Sequence, residues 1–390
     1  MIDRALLRIW GRIGHTVGVP AASLVMFRWL FGAYLLLFDA RHHAWIDRAP
    51  EAFFNPPVFS LPYLVGGFPP APTFLLLDVV GIVAIWLMMV GWRPRLSTTV
   101  VLVTLVLANS FGYSFGKISH QIAPVVVLLC MIIANWGQGI PGKDGAPGTP
   151  QYEAARRRRV ERGLALLAVA LAFGFLTAGI DKARHWATTD VSESGILSWY
   201  YPRMFEYEGY TGLLTGAVPG IPPALLKVGD WAAVLMEMSG VVALFAGRVP
   251  WRLWLLAATF LHLANALLLN ITFATQALIY LAFVSLVGLA RLRPWLSRLR
   301  VPAAIALAGV ALWHIWVRVG EGSSGFFLWD GRSTFAYDLY VCVTICLVVA
   351  ALIANDVRRE LAGRRRLVRM EAQGAAAMPA AEPTGGAIGG

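Results

Sequence analysis

The chain has 390 residues, of which 58% are hydrophobic and 14% charged, with a mean hydropathy of +0.64. A soluble domain carries about 25% charged residues, so this composition excludes an ordinary soluble globular protein and predicts an all-α, polytopic membrane protein. The net charge of +11 suggests nucleic acid as a partner, but almost all arginines lie in short links between apolar runs. There they set topology and meet anionic lipid, which excludes that partner.

Residues 1–19 hold Arg4, Arg8 and Arg12 ahead of an apolar run of full spanning length, so no cleavable signal peptide is expected. A span needs about 20 mostly apolar residues. About ten transmembrane helices are predicted: 20–39, 71–91, 96–115, 120–136, 163–181, 223–247, 252–270, 271–290, 301–318 and 335–354. Taken alternately from the N-terminus, the intervening segments carry charge very unevenly. The first set, with Arg252 at its edge, contains 23 of the 33 Lys and Arg residues. That alternation predicts an even number of spans with both termini cytoplasmic, in the cell membrane. The pair 252–270 and 271–290 leaves almost no loop, and a re-entrant pair there would change the count.

The link 137–162 holds "PGKDGAPGTP" and then "RRRR" at 156–159, read as a flexible loop with a lipid-facing basic start to the next helix. Segments 355–390 form a basic stretch and then a tail, "EAQGAAAMPAAEPTGGAIGG", expected to be disordered. On the opposite side, 40–70 and 182–222 are long and aromatic-rich, the latter containing "SWYYP". Long loops confined to one face are usually functional. Cys130, Cys342 and Cys346 all lie inside apolar runs and read as small buried hydrophobes.

An ionisable group inside a span costs several kcal/mol unless it faces a partner or a cavity, so each is a candidate functional residue. The candidates are Arg28, Asp78, His120, Lys182, Glu237 and His262. Arg28 is expected to pair with Asp78 or Glu237, as a structural charge. His262 fits an interhelical hydrogen bond equally well, and His120, at a span entry, could be a surface histidine. Asp230 and Asn265 share helical faces with Glu237 and His262; with Thr272, Thr275 and Gln276 they predict a polar pocket opening outward. His42 and His43 lack metal-site spacing, so no metal is expected.

Lys182, in "TAGIDKARHW", differs from the rest. The chain carries 29 arginines and four lysines, and arginine cannot lose its proton in a protein whereas a desolvated lysine can. A lysine retained here suits a general base. The competing reading is a snorkelling lysine, which also fits Lys227 and Lys117.

The ordered set "MFRWLFGAYLLLFDA" (26–40), "ISHQIAPVVVLL" (118–129), "TAGIDKARHW" (177–186), "LMEMSGVVALF" (235–245) and "FLHLANALLLNITF" (260–273) resembles the horizontally transferred transmembrane domain. That family contains the vitamin K-dependent gamma-carboxylases and their bacterial relatives. The resemblance covers roughly residues 5–290, with 20–290 as the membrane catalytic domain and 291–354 as two additional helices. It implies a base at Lys182 that deprotonates a reduced quinone, a vitamin K hydroquinone or menaquinol. Oxygen then adds, and the strong base so formed removes a carbon-bound proton while the quinone becomes an epoxide. Carbon dioxide enters where the carboxylation half is retained. It further implies His120, Glu237 and His262 as catalytic residues with Trp186 beside them, on the extracytoplasmic side; Asn265, Gln276 and Asp181, from the residue reading, are candidate lining residues of the same quinone pocket. The chain departs from the family in having Asp181 beside Lys182, and no large region after residue 290 to hold a peptide substrate. The acceptor could therefore be a small molecule, a lipid or a peptide. A proton-coupled transporter and a non-catalytic quinone-binding subunit are the competing functions.

Overall fold

A computed structural model describes residues 2–38, 43–115, 122–140, 143–206, 212–286, 293–320 and 334–376. All regular structure among them is helical. The helices are α1 (Ile2–Val17), α2 (Ala21–Leu37), α3 (Leu61–Val65), α4 (Ala71–Val90), α5 (Pro94–Gly112), α6 (Ile122–Ala134), α7 (Pro150–Trp186), α8 (Gly195–Glu206), α9 (Pro223–Ala246), α10 (Arg248–Leu269), α11 (Ala274–Ile279), α12 (Arg293–Gly320) and α13 (Thr334–Ala376). Among the described residues, seven helices are long and apolar enough to cross a membrane, and α1 with α2 forms a bent pair that passes the same test.

The helix boundaries have local causes. Pro94, Pro150 and Pro223 open α5, α7 and α9, where a missing N–H costs nothing. Gly91 and Asn270, both left-handed, close α4 and α10. The N-terminal segment is itself the helix α1, turned by 69° from α2 at the break around Pro20. It keeps Leu6, Leu7, Ile9 and Trp10 exposed while Ile13 and Val17 are buried. An amphipathic helix of this kind suits the membrane surface.

One end of the bundle gathers the basic segments. Arg12 donates to the Phe245 carbonyl at 2.9 Å and Arg248 to the His15 carbonyl at 3.1 Å. Arg252 pairs with Asp356 at 3.0 Å. The link after α6 docks there too: Trp136 donates to Thr98 at 2.8 Å and packs its ring at a tilt against Phe27 and Phe31.

The link before α7 is non-helical where described, as expected, and the arginine run is part of the basic start of α7, but only Arg157 and Arg158 stay exposed while Arg156 and Arg159 turn inward. α7 begins at Pro150, so "RRRR" lies inside the helix. Arg156 donates to the Gly137 carbonyl, Arg157 pairs with Glu161, and Arg159 pairs with Asp144. Hydrogen bonding from Arg159, with help from the Ile140 N–H, holds the Asp144 carboxyl below its usual range. The partners of Arg156 and Arg159 are supplied by the link before α7, whereas Arg157 pairs one turn along α7 itself. The tail also differs: α13 continues to Ala376, and its stretch around Asp356 and Glu360 is clamped by Arg248 and Arg252. Residues 377–390 lie outside the described residues.

The segment after α10 departs from the predicted uniform helix over 271–290. Ile271–Phe273 are non-helical, α11 is six residues long, a single 3-10 turn follows to Phe283, and Val284 is extended. Non-helical backbone at membrane depth needs partners inside the protein. They are present: the N–H groups of Phe273, Ser285 and Leu286 reach Cys342 Sγ, Asp356 Oδ2 and Ser23 Oγ. Asp356 also holds Arg252, so Ser285 lies level with the second turn of α10, about 26 Å below its end at Leu269 at 1.5 Å per residue.

Gly137 is a strict requirement of this packing. Its φ is +72°, and a Cβ there would overlap the Ala21 carbonyl at the start of α2. Gly137→Ala is expected to cost roughly 2 kcal/mol or more, from the left-handed backbone plus the displaced carbonyl. A lowered thermal midpoint in detergent, with an unchanged midpoint for the uncrowded Gly112→Ala, would show it.

Candidate functional site

The site lies between the last turns of α7 and the middle of α9. Gly179 lets these helices approach closely, since a Cβ there would meet Met238 Cγ at 2.8 Å and Glu237 Cβ at 3.1 Å. A helical side chain leans toward its own N-terminus, so Lys182 is directed inward rather than toward the helix end. Its Nζ reaches Glu237 Oε1 at 2.5 Å. The lysine side chain is 26% exposed and the glutamate 6%. Glu237 Oε2 is buried and has no hydrogen-bond partner among the described residues. A cation on a carboxylate with one oxygen still available can pass a proton to it and accept another.

Trp186, one turn along α7, places its ring 5.5 Å from the Lys182 ammonium. The ring lies over the first residue of α8: Gly195 carries no side chain, and a Cβ would run into the indole. The Trp186 carbonyl accepts from Lys227 Nζ at 3.3 Å. Lys227 also reaches Thr188 at 3.1 Å and Asp230 at 3.5 Å, and its side chain is buried. The snorkelling reading of Lys227 is thus corrected, because three oxygens inside the protein replace water. Asp230, fully buried, accepts from the N–H groups of Gly195 and Ile196 and so caps α8. Its role is to hold α8, and with it the shelf under Trp186.

His262 on α10 lies 2.7 Å from the Tyr280 hydroxyl and stacks on the Tyr280 ring, with Phe273 and Phe175 tilted against it. Two polar pairs result, Lys182 with Glu237 and His262 with Tyr280. Tyr280 went unnoticed in the sequence because "ALIYLAF" reads as plain apolar chain.

The remaining predicted residues are dispersed. Asp181 is exposed and makes no ion pair among the described residues; neighbours on a helix point about 100° apart, so it does not compete for Lys182. Asn265 uses its carbonyl to accept from Ile271, with its side chain half-buried, and Gln276 is half-buried on α11. Thr275 faces Tyr34, whose hydroxyl is 2.9 Å away. His120, Lys117 and His42 lie outside the described residues.

The expected pairing of Arg28 with Asp78 or Glu237 is also corrected. Asp78 accepts from the His43 N–H at 2.8 Å and lies 2.6 Å from His43 Nδ1, while His43 Nε2 is 3.0 Å from Asn109. Arg28 packs instead against Gly91 at the end of α4. Near the Asp78 cluster, His314 lies 2.8 Å from the Leu36 carbonyl, and Arg318 donates to the His314 carbonyl at 3.0 Å. These two, at i and i+4 in an apolar run, were visible in the sequence and were passed over.

No family model matches this chain, and no curated protein or solved structure is similar to it.

Proposed function

We propose that the chain is a multi-pass membrane enzyme that oxygenates a reduced quinone with Lys182 as general base, the chemistry implied by its resemblance to the vitamin K-dependent gamma-carboxylases. The observation that carries this reading is the Lys182 ammonium held 2.5 Å from a buried carboxylate and roofed by Trp186. Glu237 gives Lys182 a place to leave its proton, and the amine can then take one from a weakly acidic hydroxyl.

The residues fit a quinol headgroup on their own chemistry. Glu237 Oε2 is an unused acceptor, and Trp186 offers a flat apolar face. A reduced quinone bound there would supply the electrons that activate oxygen. His262, 2.7 Å from the Tyr280 hydroxyl, is a second polar group assigned to the pocket.

The topology proposed with this function has ten membrane-embedded segments, counting α6 and the irregular 271–286 as crossings. Both termini then lie with the arginine-rich end in the cytoplasm, and Lys182 lies in the extracytoplasmic half of a cell-membrane protein. Purified protein in lipid nanodiscs, given vitamin K hydroquinone or menaquinol and isotopically labelled oxygen, is expected to yield a quinone epoxide carrying the label. Extraction and mass spectrometry decide it: recovery of neither epoxide would sink the proposal.

A further inference from the structure

At the arginine-rich end of the bundle, between α2, α4 and α12, a second group of donors lacks acceptors. Arg28 is 1% exposed, yet its Nε and Nη1 have no hydrogen-bond partner among the described residues. The carboxylates that could have served it are engaged elsewhere, Asp78 with His43 and Glu237 with Lys182. The guanidinium is wedged under Gly91, where a Cβ would come within 2.5 Å of Nη2. The carbonyl pole of α4 attracts a cation there, but only as a partial charge. The full charge that acts on Arg28 is another cation, Arg300.

A cleft of about 350 Å³ opens at Trp29, the next residue of α2, and is lined by Trp29, Trp86, Val90, Arg300, Val301 and Ile305 among others. Arg300 holds its guanidinium 5.8 Å from the Trp29 ring centroid, and Trp29 Nε1 is buried without an acceptor. Trp86 is already spoken for, donating to the Ala304 carbonyl at 3.0 Å. The depth is informative. Val90 ends the apolar window of α4, and Arg300 is the third residue of the membrane window Arg298–Val319 of α12. The donors therefore stand where headgroups meet acyl chains.

We propose that this cleft binds the phosphate of an anionic phospholipid. Arg300, exposed at the cleft, is its direct donor, Trp29 Nε1 and Arg28 are the buried unpartnered donors behind it, and one acyl chain lies along Val90, Val301 and Ile305. Guanidinium groups match phosphate oxygens in geometry and in charge, and a bound anion relieves the repulsion between the two arginines. A zwitterionic headgroup brings its own cation toward the same two charges and is disfavoured.

Native mass spectrometry of the delipidated full chain, titrated with phosphatidylglycerol and with phosphatidylcholine of equal acyl length, tests the assignment. Phosphatidylglycerol is expected to bind about tenfold more tightly, and Arg300→Ala to remove most of that preference. Trp29→Phe, which keeps the ring and removes the N–H, is expected to weaken it severalfold. Arg366→Ala, on the exposed basic stretch of α13, is expected to leave it unchanged. Equal binding of the two lipids overturns the proposal. So does an Arg366→Ala effect matching that of Arg300→Ala, which would mean diffuse attraction to the basic surface. Displacement of the lipid by millimolar inorganic phosphate would assign the site to a soluble anion and overturn the lipid as occupant.

Discussion

Replacing Lys182 with arginine is expected to lower quinone-epoxide formation by about 10²–10⁴-fold, the usual contribution of a positioned general base. The substitution keeps a cation beside Glu237 and Trp186, so the ion pair and the ring contact can both persist. It removes the one property the mechanism uses, because a guanidinium does not give up its proton. Lys182→Ala should lose activity equally but is a poorer probe, since it leaves the Glu237 carboxylate, 6% exposed, without its counter-ion. Glu237→Gln complements both: it keeps shape and a hydrogen-bond acceptor, cannot take the lysine proton, and should slow turnover while barely moving substrate affinity. Rates from extracted quinones, read beside thermal midpoints in detergent, separate chemistry from folding. A Lys182→Arg protein with wild-type turnover would remove Lys182 as the base.

Asp230→Ala is expected to destabilise the protein by about 3–5 kcal/mol, the cost of breaking a buried ion pair from one side. The carboxylate serves two structures at once, neutralising buried Lys227 and capping the first N–H groups of α8. Its removal leaves an ammonium with only the Trp186 carbonyl and Thr188 hydroxyl, and it frees α8 from α9. Asp230→Asn should cost less, because an amide oxygen can still accept one N–H. Lys227→Met combined with Asp230→Leu should recover part of the loss, since a matched apolar pair replaces two desolvated charges. Denaturation midpoints of the three variants give the ordering, and a midpoint for Asp230→Ala equal to wild type would refute the double role. Because α8 supports the Trp186 ring, the same variant should also reduce activity in the fraction that remains folded.

Much of the architecture could be read along the chain. The apolar runs behind α4, α5, α7, α9, α10, α12 and α13, the proline starts and the gathering of arginine at alternate links all follow from transfer free energies and local backbone preference. The scarcity of lysine singled out Lys182, and Glu237 stood out as a carboxylate inside a span. The burial of all three cysteines was equally legible.

Pairing was not. Hydropathy reports how deep a residue sits, not which way round its helix it faces, so Arg28, Asp78, Lys182, Lys227 and Glu237 could be matched in several ways. Only the close crossing at Gly179 joins Lys182 to a carboxylate 55 residues away, and only the return of the 43–48 segment delivers His43 to Asp78. Likewise, 271–286 could unwind because Cys342, Asp356 and Ser23, all remote in sequence, satisfy its backbone N–H groups. Such partners exist only once the helices have packed, which is why the chain's composition defines a helical membrane protein and the tertiary contacts alone define its polar sites.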